Sequence, residues 1–303
     1  MWTAGRRSPL NEGPSQGVGW KVATARKTSF ELAGADGGPL RGDVRTAAGG
    51  AGRPAVVICH GFKGFKDWGM FPHLADRLAR AGLTAVSFNF SGSGVGGEGD
   101  SFNEPERFAH DTFTRQLFDL SEVLDALAEA RLVPGLSQPI RTGLVGHSRG
   151  GGMAILKAAE DPRIGALVTW ASISAPQRWT PDVVRRWRAD GKLEVVNSRT
   201  GEVLRLTTDI LDDIDQNATG RLDIRAAAGR VKAPWLIIHG DADEAVPVEE
   251  AKVLEGSSSN RAHLLIVEGA GHTFGARHPW QGSTPELEKV MDATVEWLGR
   301  ELL

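Results

Sequence analysis

The sequence predicts an α/β fold built around a mostly parallel sheet flanked by helices, and three observations carry that prediction. Short continuous apolar runs such as AVVICHG, LTAVSFNF and APWLIIHG read as strands buried on both faces. They alternate with segments of helical spacing, such as MFPHLADRLARAG and TPELEKVMDATVEWLGRELL. A chain of 303 residues, 41% hydrophobic and 24% charged, can bury one large core. One domain with a small insertion is expected, rather than two domains of equal size.

The elements follow in order. Residues 1–17 are rich in Gly, Pro and Ser and are expected to fray, leaving an ordered domain over 18–303. WKVATARKTSFELAGADGGPLRGDVRTA reads as short strands with Gly turns, the pattern of an antiparallel edge. AVVICHG is a buried strand, MFPHLADRLARAG a helix ending at Gly82, and LTAVSFNF the next strand. PERFAHDTFTRQLFDLSEVLDALAEARL predicts one long helix. IRTGLVGH and IGALVTWASIS are strands on either side of a helix that begins after Ser148. APWLIIHG and AHLLIVEG are strands with the helix VEEAKVLEG between them, and a final helix closes the chain. Residues of about 175–229 break the alternation with a helix (PDVVRRWRAD), a hairpin (KLEVVNSRTGEVLRL) and a second helix (DILDDIDQN). A connection this long is expected to be an insertion with structure of its own.

Composition narrows the function. A net charge of −3 and a pI near 6.3 give no field that would favour nucleic acid. No apolar run has the length of a membrane span, so no membrane insertion is expected. The single cysteine, Cys59, lies in a strand-like run and reads as a core residue rather than a nucleophile. Without a disulfide pair or a visible leader, a cytoplasmic setting is expected. No His/Cys/Asp/Glu cluster has metal-ligand spacing, and no cofactor motif is complete, so neither metal nor cofactor is expected. Nothing in the pattern specifies an oligomeric state.

The chemistry is concentrated around GHSRG, Gly146 to Gly150. Between a strand and a helix, this G-x-S-x-G places Ser148 on a sharp, strained turn with its hydroxyl at the C-terminal edge of the sheet. A serine hydroxyl needs a base. Among eight histidines, His272 lies in the Gly-rich loop VEGAGHTFG after the last apolar strand, where it can reach Ser148. LIIHGDADEAVP offers two carboxylates to orient that imidazole; Asp243 is preferred, and Asp241 is placed to hold the turn. An oxyanion needs backbone N–H donors. Arg149 follows the nucleophile, and Phe62, in HGFKGFKDWG, follows the strand AVVICHG.

Other residues divide between site and scaffold. Phe65, Trp68, Trp179 and Trp187 are candidates for an apolar substrate pocket; core packing is the alternative, evenly balanced for the tryptophans. His60 and His239 precede glycines at strand ends and read as structural. His147 flanks Ser148, and strand alternation predicts that its ring points away from the reacting face. His110 reads as a surface or packing residue, while His263 and His278 show no partner spacing. SGSGVGGEGD, Ser91 to Asp100, lacks the GK[ST] of a phosphate loop and is expected to form one rim of the pocket.

HGF at His60–Phe62, GHSRGG at Gly146–Gly151, HGDADEAVP at His239–Pro247 and GAGHTF at Gly269–Phe274 together resemble the α/β-hydrolase superfamily. Within it, the chain is most similar to dienelactone-hydrolase-like and cinnamoyl (feruloyl) esterase-like serine esterases. The resemblance covers the chain from about Arg53 onward. It implies an eight-stranded sheet, a triad in the order Ser148, Asp243, His272, and oxyanion donors at Phe62 and Arg149. It also implies that a lid after the sixth strand shapes the pocket. Dienelactone hydrolases proper use cysteine, so Ser148 disfavours that chemistry. The expected activity is hydrolysis of small or medium acyl or aromatic esters, with a small-molecule ester as substrate. A serine peptidase or amidase, an acyltransferase, and a non-enzymatic binding protein on the same scaffold are the alternatives.

Overall fold

The computed structural model describes residues 25–47, 52–97, 99–197 and 200–303. The expected frayed segment, residues 1–17, lies outside the described residues. Eight strands form the main sheet: β1 (Arg26–Ala33), β2 (Pro39–Thr46), β3 (Ala55–Cys59), β4 (Thr84–Phe88), β5 (Thr142–His147), β6 (Ile164–Trp170), β9 (Trp235–Gly240) and β10 (Ala262–Val267). A hairpin of β7 (Lys192–Val196) and β8 (Val203–Thr207) stands apart. The sheet order is β1-β2-β4-β3-β5-β6-β9-β10. β1 and β2 run antiparallel at one edge, β2 is antiparallel to β4, and the remaining pairs are parallel.

Burial on both faces explains the continuous apolar runs. Along β3, Val56 and Ile58 face one core, while Ala55, Val57 and Cys59 face the other. The first core is closed by α1 (Phe71–Arg80) and α9 (Pro285–Leu302), through Leu74, Leu78, Val290 and Leu298. The second lies under α3 (Phe113–Ala128), α4 (Arg149–Glu160) and α8 (Glu249–Ser257), through Leu120, Leu124, Ile155 and Leu254. Cys59 is fully buried, and burial raises its thiol pKa well above the ordinary range.

The long helix expected over 105–132 is instead two helices, α2 (Pro105–Ala109) and α3. Thr112 is extended, at φ −135° and ψ 163°, and its hydroxyl accepts from Arg115 N–H to cap α3. The break turns Asp111 inward beside Arg149. Between β6 and β9 the chain forms α5 (Pro181–Asp190), the β7–β8 hairpin, α6 (Asp209–Asn217) and α7 (Ile224–Ala228), the last not anticipated. Ile210, Leu211 and Ile214 of α6 join the core under α3, and Asp213 accepts from Thr114 N–H at 3.0 Å. No helix among the described residues is long and apolar enough to cross a membrane.

Candidate active site

The turn from β5 into α4 places Ser148 at φ 58° and ψ −120°, a region L-residues avoid. Surrounding bonds hold it there: Ser148 N–H donates to Trp170 O at 2.9 Å, and Ser148 O accepts from Gly151 and Gly152 N–H. Gly150 is obligatory because a Cβ there would stand 2.4 Å from the carbonyl oxygens of Cys59 and His60.

The loops after β9 and β10 bring the other two residues in. His272 Nε2 lies 3.0 Å from Ser148 Oγ, and His272 Nδ1 lies 2.8 Å from Asp243 Oδ2. A carboxylate only accepts, so Nδ1 carries the proton and Nε2 accepts from the serine hydroxyl. The Asp243 side chain is fully buried. Burial acts to raise its pKa. Hydrogen bonds from His239, from His272 and from Val246 N–H outweigh burial and hold Asp243 well below the ordinary carboxylate range. Ala245 N–H also donates to it, at 2.9 Å. Asp241 is occupied elsewhere, accepting from Gly269 N–H at 2.6 Å, so Asp243 is the carboxylate that meets His272.

A family model described as the alpha/beta hydrolase family matches residues 56–283. The chain belongs to the alpha/beta hydrolase family. Two curated relatives are each 25% identical. One is the 2,6-dihydropseudooxynicotine hydrolase of Paenarthrobacter nicotinovorans, matched over 78% of this chain and 57% of that protein. The chain thus spans little more than half the length of that relative. The other is the monoacylglycerol lipase of Mycolicibacterium smegmatis, matched over 81% and 88%. Among solved structures, Est1E from Butyrivibrio proteoclasticus with bound ferulic acid superposes with a TM-score of 0.68. It is 21% identical, with 89% of this chain and 98% of that one covered. The fold is that of the alpha/beta hydrolase family.

In this alpha/beta hydrolase, Ser148 opens into a pocket of about 220 Å³. Phe62, Phe65 and Trp68 line it, as do Phe102, Lys63, Asn197, His147, His272 and His278. Trp179 and Trp187 are not among the lining residues; they meet each other edge to face, with centroids 4.9 Å apart, inside the insertion. Asn197 brings the insertion to the pocket instead. Arg149 is the first residue of α4, so its N–H has no intrahelical acceptor. The loop bearing Phe62 is closed by Gly64 N–H donating to Gly61 O at 3.0 Å.

Two histidines sit where alternation and spacing did not place them. His147 is the last residue of β5, and it turns toward the site rather than away. Its Nε2 lies 2.9 Å from His272 O, and the two rings are 4.8 Å apart. Burial, followed by the neighbouring His272, pulls its pKa down to about 3, so it stays neutral and donates to that carbonyl. The strand ends at His147, so the two-residue alternation no longer fixes its direction. His278 has partners distant in sequence: its Nδ1 accepts from Gly69 N–H at 3.0 Å and its Nε2 donates to Asp100 at 2.8 Å. That bond ties the end of the Gly-rich 91–100 segment to the pocket rim. His60 and His239 bond loop backbone, the former at Gly61 O and the latter at Val246 O. His110 bonds Asp209 at 2.9 Å on the surface.

Proposed function

We propose that this protein is a serine carboxylester hydrolase working through an acyl-enzyme. The observation that carries the reading is the continuous chain from Ser148 Oγ to His272 Nε2 at 3.0 Å and from His272 Nδ1 to Asp243 at 2.8 Å, opening into an apolar pocket. Ser148 Oγ attacks the ester carbonyl carbon as its proton passes to His272 Nε2. Asp243 holds the Nδ1–H tautomer and stabilises the imidazolium. The N–H groups of Phe62 and Arg149 receive the developing oxyanion. His272 returns the proton to the leaving alcohol. Water, deprotonated by the same imidazole, then releases the acid and restores Ser148.

The pocket volume suits a small or medium acyl group, and the rings of Phe62, Phe65, Trp68 and Phe102 favour apolar or aromatic ones. A hydrolase of 2,6-dihydropseudooxynicotine and a monoacylglycerol lipase among the relatives, and ferulic acid bound to Est1E, support a small organic or lipid substrate. The test is turnover of 4-nitrophenyl esters from acetate to long acyl chains, and of methyl ferulate, beside Ser148→Ala. Labelling of Ser148 by a fluorophosphonate is read in parallel. Turnover and labelling that both vanish in the variant are expected. Turnover that survives in Ser148→Ala would overturn the assignment.

A further inference from the structure

Lys63 follows Phe62 in the loop and is among the residues that line the pocket holding Ser148. Its backbone takes φ 56°, the left-handed region in which a Cβ is strained. Glycine stands nearby at Gly61 and Gly64, yet the strained position itself carries a long cation. Strain retained at a site lining a pocket points to use of the side chain. The ammonium donates to Val196 O in the β7–β8 hairpin at 3.0 Å. It makes no ion pair among the described residues.

Lys63 is half-buried, and burial lowers its pKa, so the charge is held without a counter-ion in a partly dry place. An ammonium has three donors, and Val196 takes one. The acidic group on the pocket rim, Asp100, is held by His278. The nearby walls are the rings of Phe62, Phe65, Trp68 and Phe102, none of which is an anion. A negative group on the substrate is what this arrangement lacks.

We infer that Lys63 makes the pocket selective for esters that carry a second, free carboxylate, received by the ammonium while Ser148 meets the ester carbonyl. The volume of about 220 Å³ sets a short spacer between the two groups, as in the monoester of a short dicarboxylic acid. The inference rests on the serine esterase reading and narrows its substrate class.

The experiment compares mono-4-nitrophenyl glutarate with its uncharged isostere, 4-nitrophenyl 5-methylhexanoate. The ratio of their kcat/KM values is read in the wild type, Lys63→Gln and Lys63→Glu. A general disturbance of the loop scales both esters alike and leaves the ratio in place. The expected result is a ratio about tenfold higher in the wild type than in Lys63→Gln, the scale of one charge-assisted hydrogen bond. Lys63→Glu lowers it further, and added salt shrinks the wild-type preference. A ratio that does not change across the three proteins overturns the inference. Binding of free glutarate to Ser148→Ala and to Ser148→Ala/Lys63→Gln, followed by NMR, separates the two readings. Lys63-dependent glutarate binding without turnover of either ester sinks the esterase reading and upholds the anion subsite. Absence of both sinks the subsite as well.

Discussion

The guanidinium carbon of Arg149 lies 4.2 Å from the ring centroid of Phe62, so the side chains of the two proposed oxyanion donors are stacked on each other. Phe113 flanks the same guanidinium at 5.0 Å, and Asp111 Oδ2 stands 3.5 Å from Nη1. Both charged groups are buried. Burial raises the Asp111 pKa to about 7, against the pull of Arg149, and lowers Arg149 to about 10. Asp111 Oδ2 accepts from Gln116 at 2.5 Å, but its Oδ1 has no hydrogen-bond partner among the described residues. This contact fixes the Phe62 loop to α4, and it does so with a charge pair that is costly to break.

Arg149→Met keeps the backbone N–H but strips the stack and leaves Asp111 alone. Its expected loss of unfolding free energy is about 3 kcal/mol, read by chemical denaturation. kcat/KM on a 4-nitrophenyl ester is expected to fall about tenfold as the Phe62 N–H loses its fixed place. Adding Asp111→Asn removes the stranded charge, so stability recovers in part while kcat/KM stays low. Strictly additive losses in the double variant would show that the two residues are not coupled.

The choice between two carboxylates gives a second prediction. Asp243→Asn retains an oxygen for Ala245 and Val246 N–H but no longer enforces the Nδ1–H tautomer of His272. Ester turnover is expected to fall by about ten-thousand-fold with the fold intact. Asp241→Asn still accepts from Gly269 N–H, and turnover is expected to stay within about threefold of the wild type. Comparable losses in the two variants would remove Asp243 from its proposed role.

These residues also show what the sequence could reveal. Ser148, Asp243 and His272 were legible because each follows an apolar strand, and strand ends of a parallel sheet gather at one edge. The sheet was legible because strands buried on both faces, such as Val56 to Cys59, leave continuous apolar runs. The break at Thr112 was hidden because apolar spacing continues across it; the one local signal was Asp111-Thr112 ahead of a helical run, an N-cap pattern. His278 and Lys63 were hidden because their pocket positions depend on Gly69, Asp100 and Val196, partners far along the chain. For Trp179 and Trp187 residue type left pocket lining and core packing evenly balanced, and the two rings pack on each other.

Acid stability follows from the buried imidazoles. His147 is lowered to about 3 and His60 to about 4 from the ordinary 6.5, in both cases chiefly by burial. Between those values and 6.5 the unfolded chain takes up protons that the folded chain refuses. Their contribution is therefore complete above pH 6.5, declines as pH falls, and stops declining below the folded values. Asp111 acts in the opposite sense between 3.8 and about 7, because its folded pKa is raised. A variant comparison isolates one group. His147→Asn is expected to flatten the dependence of unfolding free energy on pH between 4 and 6 by up to about 1.4 kcal/mol per unit. Parallel pH curves for the wild type and His147→Asn would mean that the imidazole is protonated in the folded protein.

Two glycines in helices should respond in opposite directions to the same methyl group. At Gly150 a Cβ would lie 2.4 Å from two backbone oxygens, Cys59 O and His60 O, and neither can move without shifting β3 and the loop that carries Phe62. Gly150→Ala is expected to cost about 2 to 3 kcal/mol of stability and to depress ester turnover, because the displaced strand end carries the oxyanion loop. At Gly299, in the last turns of α9, a Cβ meets nothing within 4 Å among the described residues. Gly299→Ala there only lowers the entropy of the unfolded chain and is expected to stabilise by about 0.5 to 1 kcal/mol, with turnover unchanged. Thermal and denaturant midpoints of the two variants, measured side by side, check both signs. If Gly150→Ala were as benign as Gly299→Ala, the close approach of α4 to the end of β3 would not exist, and with it would go the proposed geometry of the oxyanion donors.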